Sequence, residues 1–207
     1  MEKLNLTKAH KKYYTAKGKP EIVEIGPVQY LSITGKGDPS APEFTERIQA
    51  LYPIAYTIKF MFKKQDRDFV VPKLEGLWWY DERKFPKLTP ASTPTEVPRE
   101  EWFYRLLIRM PDYVSEKETK EAIISVLSKK GPSIARDVHL FRMHEGKCVQ
   151  MLHTGPFSSE PKTLQQIISF IREHNLKKNG HHHEIYLSDF RKTPPERLKT
   201  ILREPVK

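Results

Sequence analysis

A carboxylate and a phenol stand two residues apart in the segment His183-Glu-Ile-Tyr-Leu-Ser-Asp189. Side chains alternate across a strand. Glu184, Tyr186 and Ser188 therefore share one face, and Ile185 and Leu187 share the other. With helices covering the Ile185 and Leu187 face, Glu184 and Tyr186 project together into a groove that a two-layer fold leaves open. Two residues along a strand span roughly 6 to 7 Å, so both groups can touch one small ligand. One can act as general base on water while the other orients the substrate or donates a hydrogen bond to an oxygen gaining negative charge, and the two roles are interchangeable at this stage.

A second cluster is Leu74-Glu-Gly-Leu-Trp-Trp-Tyr80. Adjacent tryptophans point to opposite faces of a strand, so one of Trp78 and Trp79 belongs to the core and the other forms an aromatic wall. Gly76 allows a ligand or another backbone to approach closely. Glu75 is the reserve carboxylate, and Tyr30 and Tyr56 complete the candidate ligand-binding set. His181, His182 and His183 look like a metal-binding tract, but successive strand residues diverge and no second cluster has ligand spacing, so neither metal nor cofactor is expected. Cys148 lies on an apolar strand and reads as a buried thiol. No Gly-x-Ser-x-Gly elbow or phosphate-binding glycine loop occurs.

The elements that must position these groups read as one α+β domain over residues 1–207. A strand (28–34) leads through Gly35-Lys-Gly-Asp-Pro39 to a helix (42–63), whose Phe44, Ile48, Leu51, Ala55, Ile58 and Phe62 share a face; strands at 69–80 and 102–110 follow. The same strand-helix-strand-strand order returns at 148–154, 161–174, 183–189 and 198–206, and Val28-Gln-Tyr-Leu31 has a counterpart in Val149-Gln-Met-Leu152. That spacing suits a duplicated half-domain rather than a solenoid. The expected fold is a tandem repeat with pseudo-twofold symmetry: a first half over about 21–112, a linking helix over about 115–130, a second half over about 138–206, and a ligand groove between them. The segment from Asp81 to Glu101, punctuated by Pro86, Pro90, Pro94 and Pro98, is a candidate flap.

Composition narrows the function. The formal net charge of +10 raises the possibility of nucleic-acid binding. The basic residues are dispersed, however: Lys8, Lys11, Lys12, Lys17 and Lys19 form a loose cluster, whereas Lys63, Lys64, Lys129 and Lys130 sit where cations complement helix dipoles. No nucleic-acid recognition motif accompanies them, so no specific nucleic-acid partner is expected. The most helix-like apolar stretch, Ile48 to Phe62, is broken by Gln49, Thr57 and Lys59, and no membrane partner is expected. The lysine-rich start has no apolar leader core, and a single cysteine suits a reducing compartment, so the expected location is the cytoplasm.

Gly35-Lys-Gly-Asp-Pro39, Leu51-Tyr-Pro-Ile-Ala-Tyr-Thr-Ile-Lys-Phe60, Leu74-Glu-Gly-Leu-Trp-Trp79 and His182-His-Glu-Ile-Tyr-Leu-Ser-Asp189 resemble the signatures of the freestanding GyrI-like small-molecule-binding family, from about Leu4 to Val206. Phe190 departs from the proline usual after the aspartate. The resemblance implies a groove for planar aromatic or apolar ligands at the interface of two related halves. The branch with paired tryptophans resembles the cyclopropanoid cyclopropyl hydrolases, which detoxify duocarmycin- and yatakemycin-type DNA alkylators by adding water to the strained ring and so confer drug resistance. Two alternatives stay open: a non-catalytic sequestering protein that sets Glu184 against cationic aromatics, and a gyrase inhibitor, for which no motif is readable.

Overall fold

The computed structural model describes residues 3–86, 88 and 96–207. Part of the expected flap, including Pro90 and Pro94, lies outside the described residues. The strands are β1 (Glu21–Lys36), β2 (Leu74–Trp79), β3 (Phe103–Arg109), β4 (His139–Thr154), β5 (His182–Tyr186) and β6 (Lys199–Pro205). They close into an antiparallel barrel in the order β1-β3-β2-β5-β6-β4, with β4 pairing back onto β1. The helices are α1 (Leu6–Ala9), α2 (Pro42–Lys63), α3 (Glu116–Ser128) and α4 (Glu160–Glu173).

The helices form where local chemistry favours them. Proline at the first helical position starts α2, and Phe44, Ile48, Leu51, Ala55, Ile58 and Phe62 line its buried face. Ser115 and Glu118 form a reciprocal capping box that starts α3. Strands β1 and β4 are each 16 residues long, more than twice the expected 28–34 and 148–154. Their additional halves meet each other only around Glu24 and Lys147 and otherwise pair with the buried half of the other strand; they alternate toward solvent, so they lack the apolar run that marks the buried halves. No helix among the described residues is long and apolar enough to cross a membrane.

Closure divides the core. Leu31, Ile33, Leu74, Leu106 and Ile108 face outward under α2 and α3. Tyr30, Leu77, Leu107, Ile185 and Ile201 fill the barrel interior, joined by Tyr13 and Tyr14 from the N-terminal segment. Helix α4 packs separately on β4 and β6 through Leu164, Ile167, Ile168, Val149 and Leu202. The expected two-layer arrangement is corrected here. Ile185 points into the barrel, not toward helices, and Glu184 and Tyr186 share the helix-bearing outer face. Their common face was legible; which face carried the helices was not.

The interior also holds a polar network. Arg203, fully buried, donates to Glu145 Oε2 (3.1 Å), to Gln150 Oε1 (3.1 and 3.0 Å) and to the Tyr13 carbonyl (2.8 Å). His183 bridges Glu145 (2.9 Å) and Glu75 (3.0 Å). Despite burial, which opposes its charge, the nearby His183 and Arg203 hold the Glu145 carboxyl down at about 2.

Candidate functional site

A cavity of about 1070 Å³ opens on the outer face of the barrel, between the N-terminal turns of α2 and α4. Both halves of the chain line it, from Phe44, Trp78 and Trp102 on one side to Phe157, Tyr186 and Phe190 on the other. All three tryptophans of the chain border it. Glu82, Phe85, Pro86, Leu88 and Arg99, described parts of the Pro-rich segment, form part of its rim. The volume matches the upper end of the range for small-molecule sites, about 300 to 1,000 Å³.

Strand alternation places His182, Glu184 and Tyr186 on the cavity side of β5, and pairing of β5 with β2 sets Gly76 opposite Glu184. A side chain at Gly76 would collide with its neighbours, since a Cβ there would lie 2.9 Å from Trp78 Nε1 and 3.0 Å from the Tyr186 hydroxyl. The space expected for a ligand or backbone at this glycine is taken by those two groups. They meet in a hydrogen bond, Trp78 Nε1–H donating to the Tyr186 oxygen at 3.2 Å.

A polar chain runs from there across the cavity floor. Tyr186 donates to Glu184 Oε2 at 2.7 Å. His182 Nε2 lies 3.4 Å from Glu184 Oε1, and its Nδ1 lies 2.6 Å from Glu204 Oε1 on β6. Burial opposes a charge on His182, but Glu204 and Glu184 outweigh it and raise its pKa to about 10, so the imidazolium persists at neutral pH. Burial, followed by the Glu184 charge, pushes the Tyr186 phenol well above its ordinary value and keeps its proton in place. Glu160, in the first turn of α4, also borders the cavity, with Oε1 buried and without a hydrogen-bond partner among the described residues.

The structure brings Glu184, Tyr186, Trp78 and Trp79 to one cavity. The tryptophans do not divide into one core and one wall residue. Trp78, 7% exposed, belongs to the core beneath α2 and also borders the cavity, stacking on Phe44 at 5.8 Å. Trp79 is half-buried, stacked between Phe103 (5.9 Å) and His181 (4.6 Å), at the cavity rim. Three candidates lie elsewhere. Glu75 is one residue out of phase with Gly76, so it points into the barrel, where it accepts from Tyr13 and meets His183. Tyr30 is likewise interior, hydrogen-bonded to Tyr13 at 2.7 Å. Tyr56 lies on the solvent side of α2, 46% exposed, beside Tyr52 and Phe60.

Sequence reasoning missed Glu160, Glu204, Phe44, Phe157 and the cavity role of His182. The signal for His182 was present, since it shares strand parity with Glu184 and Tyr186. In the histidine tract, His181 stacks on Trp79 and borders the cavity together with His182, whereas His183 enters the barrel. Phe190, at the position of the departure from proline, packs on Tyr186 (5.7 Å) and Phe157 (6.0 Å) as part of the wall.

The GyrI-like small molecule binding domain matches residues 18–207 of the chain. A crystal structure described as a hydrolase from Listeria innocua is 39% identical, with a TM-score of 0.83 and coverage of 99% of this chain and 100% of that one. Another hydrolase from Listeria innocua is 38% identical, with a TM-score of 0.86 and full coverage of both chains. An uncharacterized conserved protein from the same organism is 40% identical, with a TM-score of 0.87, covering 99% of this chain and 100% of that one. A search of curated proteins finds no match.

Proposed function

The chain belongs to the GyrI-like small-molecule-binding family, and we propose that it is a hydrolase that takes a planar aromatic molecule into the cavity and adds water to it. The substrate we infer is a strained, electrophilic cyclopropane of the duocarmycin or yatakemycin type, and the activity a cytoplasmic detoxification that confers drug resistance. The observation that carries this reading is Glu184, held by Tyr186 and His182 at the floor of an aromatic-walled cavity. The two Listeria structures described as hydrolases support it.

Glu184 accepts the proton of an attacking water. Tyr186 and His182 fix the orientation of its carboxylate, and the aromatic walls align the flat substrate and exclude bulk water. A positioned base contributes about 10² to 10⁴ in rate, and relief of ring strain supplies further drive. The strand order also supports a duplicated origin with pseudo-twofold symmetry, because exchanging β1, β2 and β3 with β4, β5 and β6 reproduces the same circuit of neighbours.

The test is incubation with a spirocyclopropyl-cyclohexadienone followed by mass spectrometry. A product heavier by one water, formed over many turnovers, is the expected result. Tight binding with unchanged ligand would replace the hydrolase by a sequestering protein.

A further inference from the structure

Water addition to such a ring needs two proton transfers, one off the attacking water and one onto the oxygen that receives the electron pair of the broken C–C bond. Glu184 serves the first. Tyr186 is committed, because its O–H donates to Glu184 at 2.7 Å and its oxygen accepts from Trp78 at 3.2 Å. Both nitrogens of His182 face carboxylates, Glu204 at 2.6 Å and Glu184 at 3.4 Å.

Glu160 has no such commitment. It is 8% exposed, borders the same cavity, and keeps Oε1 buried without a hydrogen-bond partner among the described residues. An ionised carboxylate in that state is costly, whereas a protonated one is tolerated. Burial first, and the Glu184 charge second, push its carboxyl well above the usual carboxylate range, against the weaker pull of His182. Its place in the first turn of α4 also suits the opposite state, since the positive end of a helix dipole stabilises the carboxylate left after a proton departs. Two carboxyls thus face one cavity in different surroundings, Glu160 buried without a partner among the described residues and Glu184 accepting from Tyr186, an arrangement that divides acid from base work.

We propose that Glu160 is the proton donor of the reaction, delivering its proton to the carbonyl oxygen conjugated to the strained ring. This rests on the hydrolase reading above. The water oxygen bonds to the ring methylene carbon as the ring C–C bond breaks. The electron pair of that bond moves through the conjugated ring to the carbonyl oxygen. Glu184 takes the water proton, Glu160 protonates the new phenolate, and both carboxyls reset by proton exchange with solvent. The net change is one added water, with nothing oxidised or reduced. The role restricts the substrate class to rings conjugated to an oxygen acceptor.

The test measures kcat and KM for a spirocyclopropyl-cyclohexadienone against pH with the wild type, Glu160→Gln and Glu160→Asp. Because the donor must carry its proton, wild-type kcat falls as pH rises through the pKa of Glu160 in the complex. Glu160→Gln is expected to lower kcat by about 10² to 10⁴, leave KM nearly unchanged and abolish the alkaline limb. Glu160→Asp is expected to keep part of the activity and a limb at a shifted pH, which a merely structural role would not produce. Wild-type kcat with the same alkaline limb in Glu160→Gln, alongside hydrated product from the wild type, overturns the donor role and leaves the hydrolase reading intact. Absence of hydrated product from the wild type overturns both. Should Glu160→Gln fail to fold, the limb of Glu160→Asp decides: a shift supports the donor, and an unshifted limb overturns it.

Discussion

Replacing each paired tryptophan with alanine separates packing from ligand contact. Trp78 is 7% exposed and surrounded by Phe44 (5.8 Å), Tyr104 (5.5 Å) and Trp102 (6.3 Å). Its loss opens a cavity in the core beneath α2 and is expected to cost about 3 to 5 kcal/mol. The lost hydrogen bond adds little, because Tyr186 keeps Glu184 as its acceptor. Trp79 is half-buried and held by two stacked neighbours, Phe103 and His181. Two such contacts at about 0.5 to 1.5 kcal/mol each give a loss of about 1 to 3 kcal/mol. Both border the cavity, so each variant should also lose affinity for a planar ligand. By analogy with stacking of bases on aromatics, about 1 to 3 kcal/mol is at stake, or roughly five- to 150-fold in Kd. Urea denaturation followed by circular dichroism gives the stabilities. Quenching of the two tryptophans left in each variant reports ligand binding directly, since all three border the cavity. Equal stability losses in the two variants would refute the packing assignment, and unchanged affinity in both would refute the aromatic wall.

Glu184→Gln, nearly isosteric, should keep the melting temperature within a few degrees while lowering turnover by about 10² to 10⁴; undiminished turnover would remove Glu184 from the chemistry. His182 has a folded-state pKa of about 10 against an ordinary 6.5. Its contribution to stability is therefore complete below about pH 6.5 and lost as pH rises through about 10, with a slope of up to about 1.4 kcal/mol per pH unit. The stability difference between wild type and His182→Gln, measured by denaturation at several pH values, should shrink across that window; a constant difference would contradict the imidazolium. Arg203→Met leaves Glu145 buried with His183 as its remaining charged partner and should destabilise the protein by about 3 to 5 kcal/mol. A denaturation midpoint equal to that of the wild type would show that the barrel tolerates Glu145 without the Arg203 guanidinium.

The order of helices and strands was legible because it is written in local periodicity. Helix α2 begins at Pro42 and presents an apolar stripe from Phe44 to Phe62, and Gly131 follows the last turn of α3. Glu184 and Tyr186 were found together for the same reason, since period-two alternation needs no knowledge of the rest of the chain. Glu160 was hidden because a glutamate in a first helical turn has an ordinary local explanation, and only its burial beside Glu184 reveals another. Tyr13 and Tyr14 sit in a lysine-rich stretch whose composition suggests an exposed arm, yet both rings pack inside the barrel.

The sequence by itself determined which residues of each strand share a face, where the helices start, and that aromatics and carboxylates would meet on one surface. Tertiary structure alone decided which surface that was. Closure of the barrel depends on pairings between residues far apart in the chain, such as Glu24 with Lys147 and Gly76 with Glu184. It buries both sides of the sheet, so strands such as β6 read as continuously buried with no preferred face. Once β1 and β4 join, Ile185, Glu75 and Tyr30 are enclosed, and Glu184 and Tyr186 turn outward toward the helix ends. Only that arrangement brings Glu204 from β6 and Glu160 from α4 to the same cavity, because their proximity comes from long-range register and helix docking, which no local pattern encodes.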